Sequence, residues 1–368
     1  MAALIFRRAI QATRAFVVLA LAATACQRRS VVVVAAEPVA PRIPTRVSDW
    51  TLTTREHVDL WLHGFARLLP DTFRVALFDN GYPQRVIAAR GAMRTVFDDS
   101  LAKLRSFVER DLRLAQAQFV ALYFSSWTEL SRAVRAFLAD SRVSGSGALR
   151  AYAVLRSYFP TAEGRAFLAM LHAALEDEGR RFFSEYRARE LLKRATAFAL
   201  TERHWSELGS LLDRYLRNSG QPHGTVVASL VLRGQGRTLP QTEGVTVVVG
   251  YPRDSSSALE PLFTAVREIT SVEASRVVAA HATSADRLAS DVESLESVAS
   301  VRAGAFLLDR IAPDLAAGYR RFYLGLAGAS GSSERELRTV YALPGDIADA
   351  LANRIAIILE GLRGETDR

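Results

Sequence analysis

The chain has 368 residues, 49% of them apolar and 23% charged, with a formal net charge of +8 and one cysteine. That length supports one large domain or two ordinary ones, each with its own core, and a single cysteine excludes an internal disulfide. The positive charge is almost entirely arginine, with Lys103 and Lys193 the only lysines. It is spread along the chain and not gathered on one basic face, which argues against a nucleic-acid partner. The arginine richness accompanies abundant alanine, glycine and valine, as GC-rich coding produces; a surface of bidentate contacts to anions is the other reading.

Arg7, Arg8 and Arg14 precede an uncharged, largely apolar run over residues 15–25 (AFVVLALAATA), which ends in the small residues Ala23 and Ala25. The run is too short to cross a bilayer as a helix and has the plan of a cleaved export signal. With Cys26 directly after it, the segment resembles a bacterial lipoprotein signal, with Ala23 where leucine is usual. The resemblance implies cleavage after Ala25 and a lipid on Cys26 that makes the membrane a partner. It places the protein on the periplasmic or outer-membrane side, and Gln27 is compatible with outer-membrane delivery. Loss of the three signal arginines takes the formal charge from +8 to +5. Residues 26–48, with Pro38, Pro41 and Pro44, read as the lipidated terminus and a flexible tether.

The expected fold is mainly α: a helical part over 49–219, then an α+β part over 220–368 with a small antiparallel sheet. Thr53 and Glu56 have the spacing of a capping box, and Val58, Trp61, Leu62, Phe65, Leu68 and Leu69 recur at helical spacing. Residues 93–139 read as two long helices or one broken one, and 161–200 carries a further long helical pattern. Within it, Glu185 to Arg189 and Glu190 to Arg194 have the favourable i,i+4 order. Thr201 reads as the cap of a helix entered at Glu202. Residues 225–232 (TVVASLVL) and 245–249 (VTVVV) are strand-like and joined by a Gly-rich stretch. Helices follow over about 258–280, 301–311, 313–326 and 346–362.

A strand at 245–249 followed by a helix containing Arg267, Glu268 and Ser271 resembles the layout of zinc metallopeptidase domains of the His-Glu-x-x-His type. In that family an edge strand lies beside the helix that carries two metal-binding histidines and a glutamate base. The resemblance puts Glu268 on the glutamate and places Arg267 and Ser271 on the two histidines. Arginine cannot deprotonate and serine is a neutral hydroxyl, so neither the resemblance nor any other motif implies a metal or a cofactor. Two readings stay open. In one, residues 245–249 offer a free strand edge to a peptide or protein partner, with Arg267 facing the cleft. In the other, 258–280 is an ordinary amphipathic helix with a surface Arg–Glu pair.

The six histidines are scattered; His57 and His63 share a helix at a spacing unsuited to joint chelation. No Gly-x-Ser-x-Gly elbow occurs, and Gly234-Gln235-Gly236 lacks the helix a phosphate loop requires. Three functional classes therefore remain. The first is a non-catalytic membrane-anchored binding or scaffold lipoprotein, metallopeptidase-like but metal-free. The second is an active periplasmic hydrolase of peptidase type, with Glu268 as the candidate catalytic residue. The third is a purely structural helical lipoprotein.

Overall fold

The computed structural model describes residues 49–69, 77–140, 145–241, 244–284 and 292–361. The expected signal segment, the expected lipid site at Cys26 and the expected tether lie outside the described residues. Within them the chain is mainly helical, with thirteen α-helices and one four-stranded sheet.

The sheet begins where the sequence shows only a short polar-apolar segment. β1 (Asp49–Thr53) precedes α1 (Glu56–Leu68), and the Thr53–Glu56 capping box is not formed. Thr53 instead ends the strand, and the Glu56 carboxylate accepts from the Ser184 hydroxyl at 2.5 Å. The helical part continues through α2 (Tyr82–Arg90), α3 (Val96–Arg110) and a 3-10 run (Leu112–Tyr123). It then passes through α4 (Trp127–Leu138), α5 (Ser146–Tyr158) and α6 (Ala162–Glu178). A π turn (Gly179–Phe183) joins α6 to α7 (Ser184–Lys193), and α8 (Ala195–Asn218) follows. Thr201 is not a cap. It lies inside α8, where its hydroxyl bonds the carbonyls of Ala197 and Ala258.

β2 (His223–Ser229), β3 (Arg237–Gln241) and β4 (Gly244–Gly250) complete the sheet in the order β1-β2-β4-β3. The expected antiparallel pairing of the two apolar strands is corrected: β2 runs parallel to β4 and β1 parallel to β2, and only β3 is antiparallel to β4. The reason is burial on both faces. Val227, Val248 and Leu239 enter the core of the first helical half, while Val226, Val247 and Val249 enter the core of the second. Strands covered on both sides read as unbroken apolar runs, the pattern of parallel sheets. At the junction of β1 and β2 a Cβ on Gly224 would lie 2.5 Å from the Trp50 ring, so only glycine lets that indole reach the Gln221 carbonyl at 2.8 Å.

The second core is closed by α9 (Glu260–His281), α10 (Val292–Ile311), α11 (Pro313–Leu326), α12 (Glu334–Val340) and α13 (Gly345–Glu360). No helix among the described residues is long and apolar enough to cross a membrane.

Candidate functional site

The structure brings Arg267 and Glu268 together on α9 and turns both inward. Arg267 donates to the Glu268 carboxylate through one Nη and to Ser297 Oγ on α10 at 3.0 Å through the other. Glu268 is 4% exposed and also accepts from Thr238 Oγ1 of β3 at 3.2 Å. Burial opposes the Arg267 charge, but the Glu268 carboxylate and the phenols of Tyr323 and Tyr319 outweigh it and hold the guanidinium above its ordinary value. Ser271 takes no part in this cluster with its side chain, since its hydroxyl bonds the Glu268 carbonyl within the helix at 2.6 Å.

The free edge expected at 245–249 is corrected. β4 is paired on both sides, by β2 and by β3, and the sheet's edge next to α9 is β3. β3 contains Pro240, which has no amide hydrogen to offer an incoming strand. No cleft separates β3 from α9 either. A Cβ on Gly236 would lie 2.5 Å from the Val248 carbonyl oxygen and 2.8 Å from Glu268 Cγ. Strand and helix meet there with room only for glycine.

The donors at this place do not fit zinc. A guanidinium and a helix-satisfied hydroxyl stand at the two histidine positions of the resembled motif, and neither is a zinc ligand. Among the described residues no group of three His, Cys, Asp or Glu side chains comes together to hold a metal. The histidines are spent singly: His57 on the Phe124 carbonyl at 2.9 Å, His172 on Ser131 at 2.8 Å, and His223 on Asp49 at 3.0 Å.

In parallel α/β sheets, ligands usually enter at the carboxyl ends of the strands. Here that end is filled. Asp59 of α1 receives Arg187 Nε at 2.6 Å and the Leu230 amide at 3.3 Å, Arg85 holds Asp79 at 2.8 Å, and Phe198 stacks on Tyr251 at 4.8 Å. The space left between Tyr251, Arg233 and Thr264 is about 10 Å³, one water's worth.

A second polar group lies inside the first helical half, unseen in the sequence because its members are far apart. His63 of α1 sits between the Tyr82 hydroxyl and the Glu178 carboxylate, 2.8 Å from each. Burial lowers the His63 pKa, so the ring is neutral; Nε2–H donates to Glu178 and Nδ1 accepts from Tyr82. Glu178 also receives Arg90 and Thr95, and Asp98 receives Arg67 at 2.7 Å and Arg90. The phenol–imidazole–carboxylate row has the order of an activated nucleophile. Yet Tyr82 is 1% exposed, His63 and Glu178 are 0% exposed, and burial drives the phenol well above its usual range. A row sealed in this way, with its phenol kept protonated, binds α1, α2, α3 and α6 together.

No family model, no curated protein and no solved structure matches the chain.

Proposed function

We propose that the chain is an exported lipoprotein, anchored at a bacterial membrane through Cys26, whose folded part is a non-catalytic binding or scaffold module with a metallopeptidase-like, metal-free second half. The observation that carries this reading is the Arg267–Glu268 pair. The strand that lies against the helix is β3 and not the one at 245–249, and it meets the helix through the Thr238–Glu268 hydrogen bond. At that point the carboxylate that would act as base is tied to a fixed positive charge from its own chain. Arg267 donates to one carboxylate oxygen and Thr238 to the other, so each oxygen is already occupied by a donor of the chain itself.

Elemental analysis tests the metal-free reading. The purified chain is expected to keep far less than one equivalent of zinc after dialysis and to leave unstructured peptides uncleaved. A full equivalent of tightly held zinc together with chelator-sensitive cleavage would move the protein to the hydrolase class. The anchor is tested separately: metabolic labelling with a fatty-acid analogue should mark the wild-type chain and fail on Cys26→Ser. Label kept by that variant sinks the lipid assignment.

A further inference from the structure

Open space lies at the other end of the sheet. A groove of about 540 Å³ runs over the amino-terminal ends of β1, β2 and β4, walled opposite by the end of the 3-10 run and the segment after it, with Leu122, Tyr123 and Phe124. Its floor is a row set by strand register. Thr51 pairs with Thr225 and Thr225 with Thr246, so three hydroxyls stand side by side across three strands. The Thr246 hydroxyl makes no hydrogen bond to a described residue, while those of Thr51 and Thr225 lie 3.5 Å apart.

Among the described residues lining this groove, the unspent charge is Arg55, at the turn from β1 into α1. Its guanidinium has no ion pair or hydrogen bond among the described residues, and burial lowers its pKa. The acid lining the groove, Asp49, is paired with His223 at 3.0 Å. A partly dehydrated cation without an anion is costly to keep unless something else supplies the anion.

We propose that this groove binds a small organic carboxylate: Arg55 takes the carboxylate, the Thr51–Thr225–Thr246 row hydrogen-bonds the ligand's polar atoms, and the half-buried Tyr123 ring covers its apolar body. The inference rests on the reading of the chain as a binding module and gives that reading a site. The volume falls in the range of metabolite-sized pockets. One planar guanidinium matches one carboxylate fork, whereas a phosphate dianion would bring two charges to a single cation.

Ligand-observed NMR titration of the full chain with hexanoate, hexanol and inorganic phosphate tests the site. Hexanoate is expected to saturate with a Kd of about 1 mM, and hexanol and phosphate to bind at least about tenfold more weakly. Arg55→Gln should weaken hexanoate at least about tenfold with an unchanged melting temperature. Thr246→Val, which keeps the side-chain shape and removes one hydroxyl, should weaken it about fivefold. Absence of saturable binding overturns the proposal, as does hexanol or phosphate binding as well as hexanoate, or both variants binding like wild type. Tightly held zinc would overturn the metal-free module reading and leave a positive groove result standing.

Discussion

Replacing Glu178 by glutamine is expected to lower the unfolding free energy by about 3–5 kcal/mol, the usual cost of leaving a buried charge without its partner. The carboxylate is 0% exposed and is shared by His63, Arg90 and Thr95, with Arg67 a further 3.6 Å away. Removing its charge leaves two guanidiniums, at 6% and 11% side-chain exposure, facing only Asp98. The double variant Glu178→Leu/Arg90→Met should recover much of the loss, because apolar groups of similar volume replace a buried ion pair at little cost. The same group sets an acid limit. The hydrogen bonds from His63 and Thr95 and the Arg90 charge outweigh burial and hold Glu178 below its ordinary 4.5, and Asp98 is held at about 2. A carboxyl lowered in the folded state contributes stability above its unfolded pKa and loses it as pH falls. Wild-type stability should therefore drop between about pH 4.5 and about pH 2, and the glutamine variant should show a shallower drop. Chemical denaturation at neutral and acid pH measures both effects. A loss under about 1 kcal/mol at neutral pH would mean that water already shares these charges.

The sequence carried the helices because their apolar spacing is local. The runs through Trp61 and Phe65 and through Leu262 and Ile269 fall in α1 and α9, buried as their period requires. Both i,i+4 pairs in 185–194 also form, at 3.6 Å and 2.7 Å. Strand identity at β2 and β4 was legible too, since valine runs there admit little else. Strand partnership was not. Alternation says which face is buried but not which neighbour pairs, and the partner of β2 on one side is β1, joined to it through all of α1–α8. Thr53 and Glu56 show the same limit, for the capping spacing was present and the tertiary pull of β1 onto β2 used Thr53 otherwise. The buried row of Tyr82, His63 and Glu178 left no local mark, because its members are 19 and 115 residues apart. Arg55 and the threonine row share a groove only through register between distant strands. Arg267 and Glu268 were found by spacing, but their orientation depends on Thr238 and Ser297, which no spacing rule connects to them.

That orientation decides what Arg267→Ala does. An arginine lining an open cleft would, on truncation, cost affinity for a partner and leave stability nearly untouched. The observed side chain is 11% exposed, bonded to a carboxylate 5% exposed and to Ser297, with Tyr319 and Tyr323 close enough to favour its charge. Arg267→Ala is therefore expected to destabilise the fold by about 3 kcal/mol, the lower end for a broken buried pair because a little of the guanidinium still reaches water. Glu268 would keep only the Thr238 hydroxyl as a side-chain partner, and the contact between β3 and α9 would loosen with it. Arg267→Met/Glu268→Leu should restore most of the loss, since two apolar chains can fill the same space without a stranded charge. Urea unfolding of the three proteins measures this. An Arg267→Ala protein as stable as wild type would show that Glu268 reaches water without its arginine. The carboxylate would then be open to solvent in the way an acting base requires, and the reading of this half as a non-catalytic module would give way to the hydrolase.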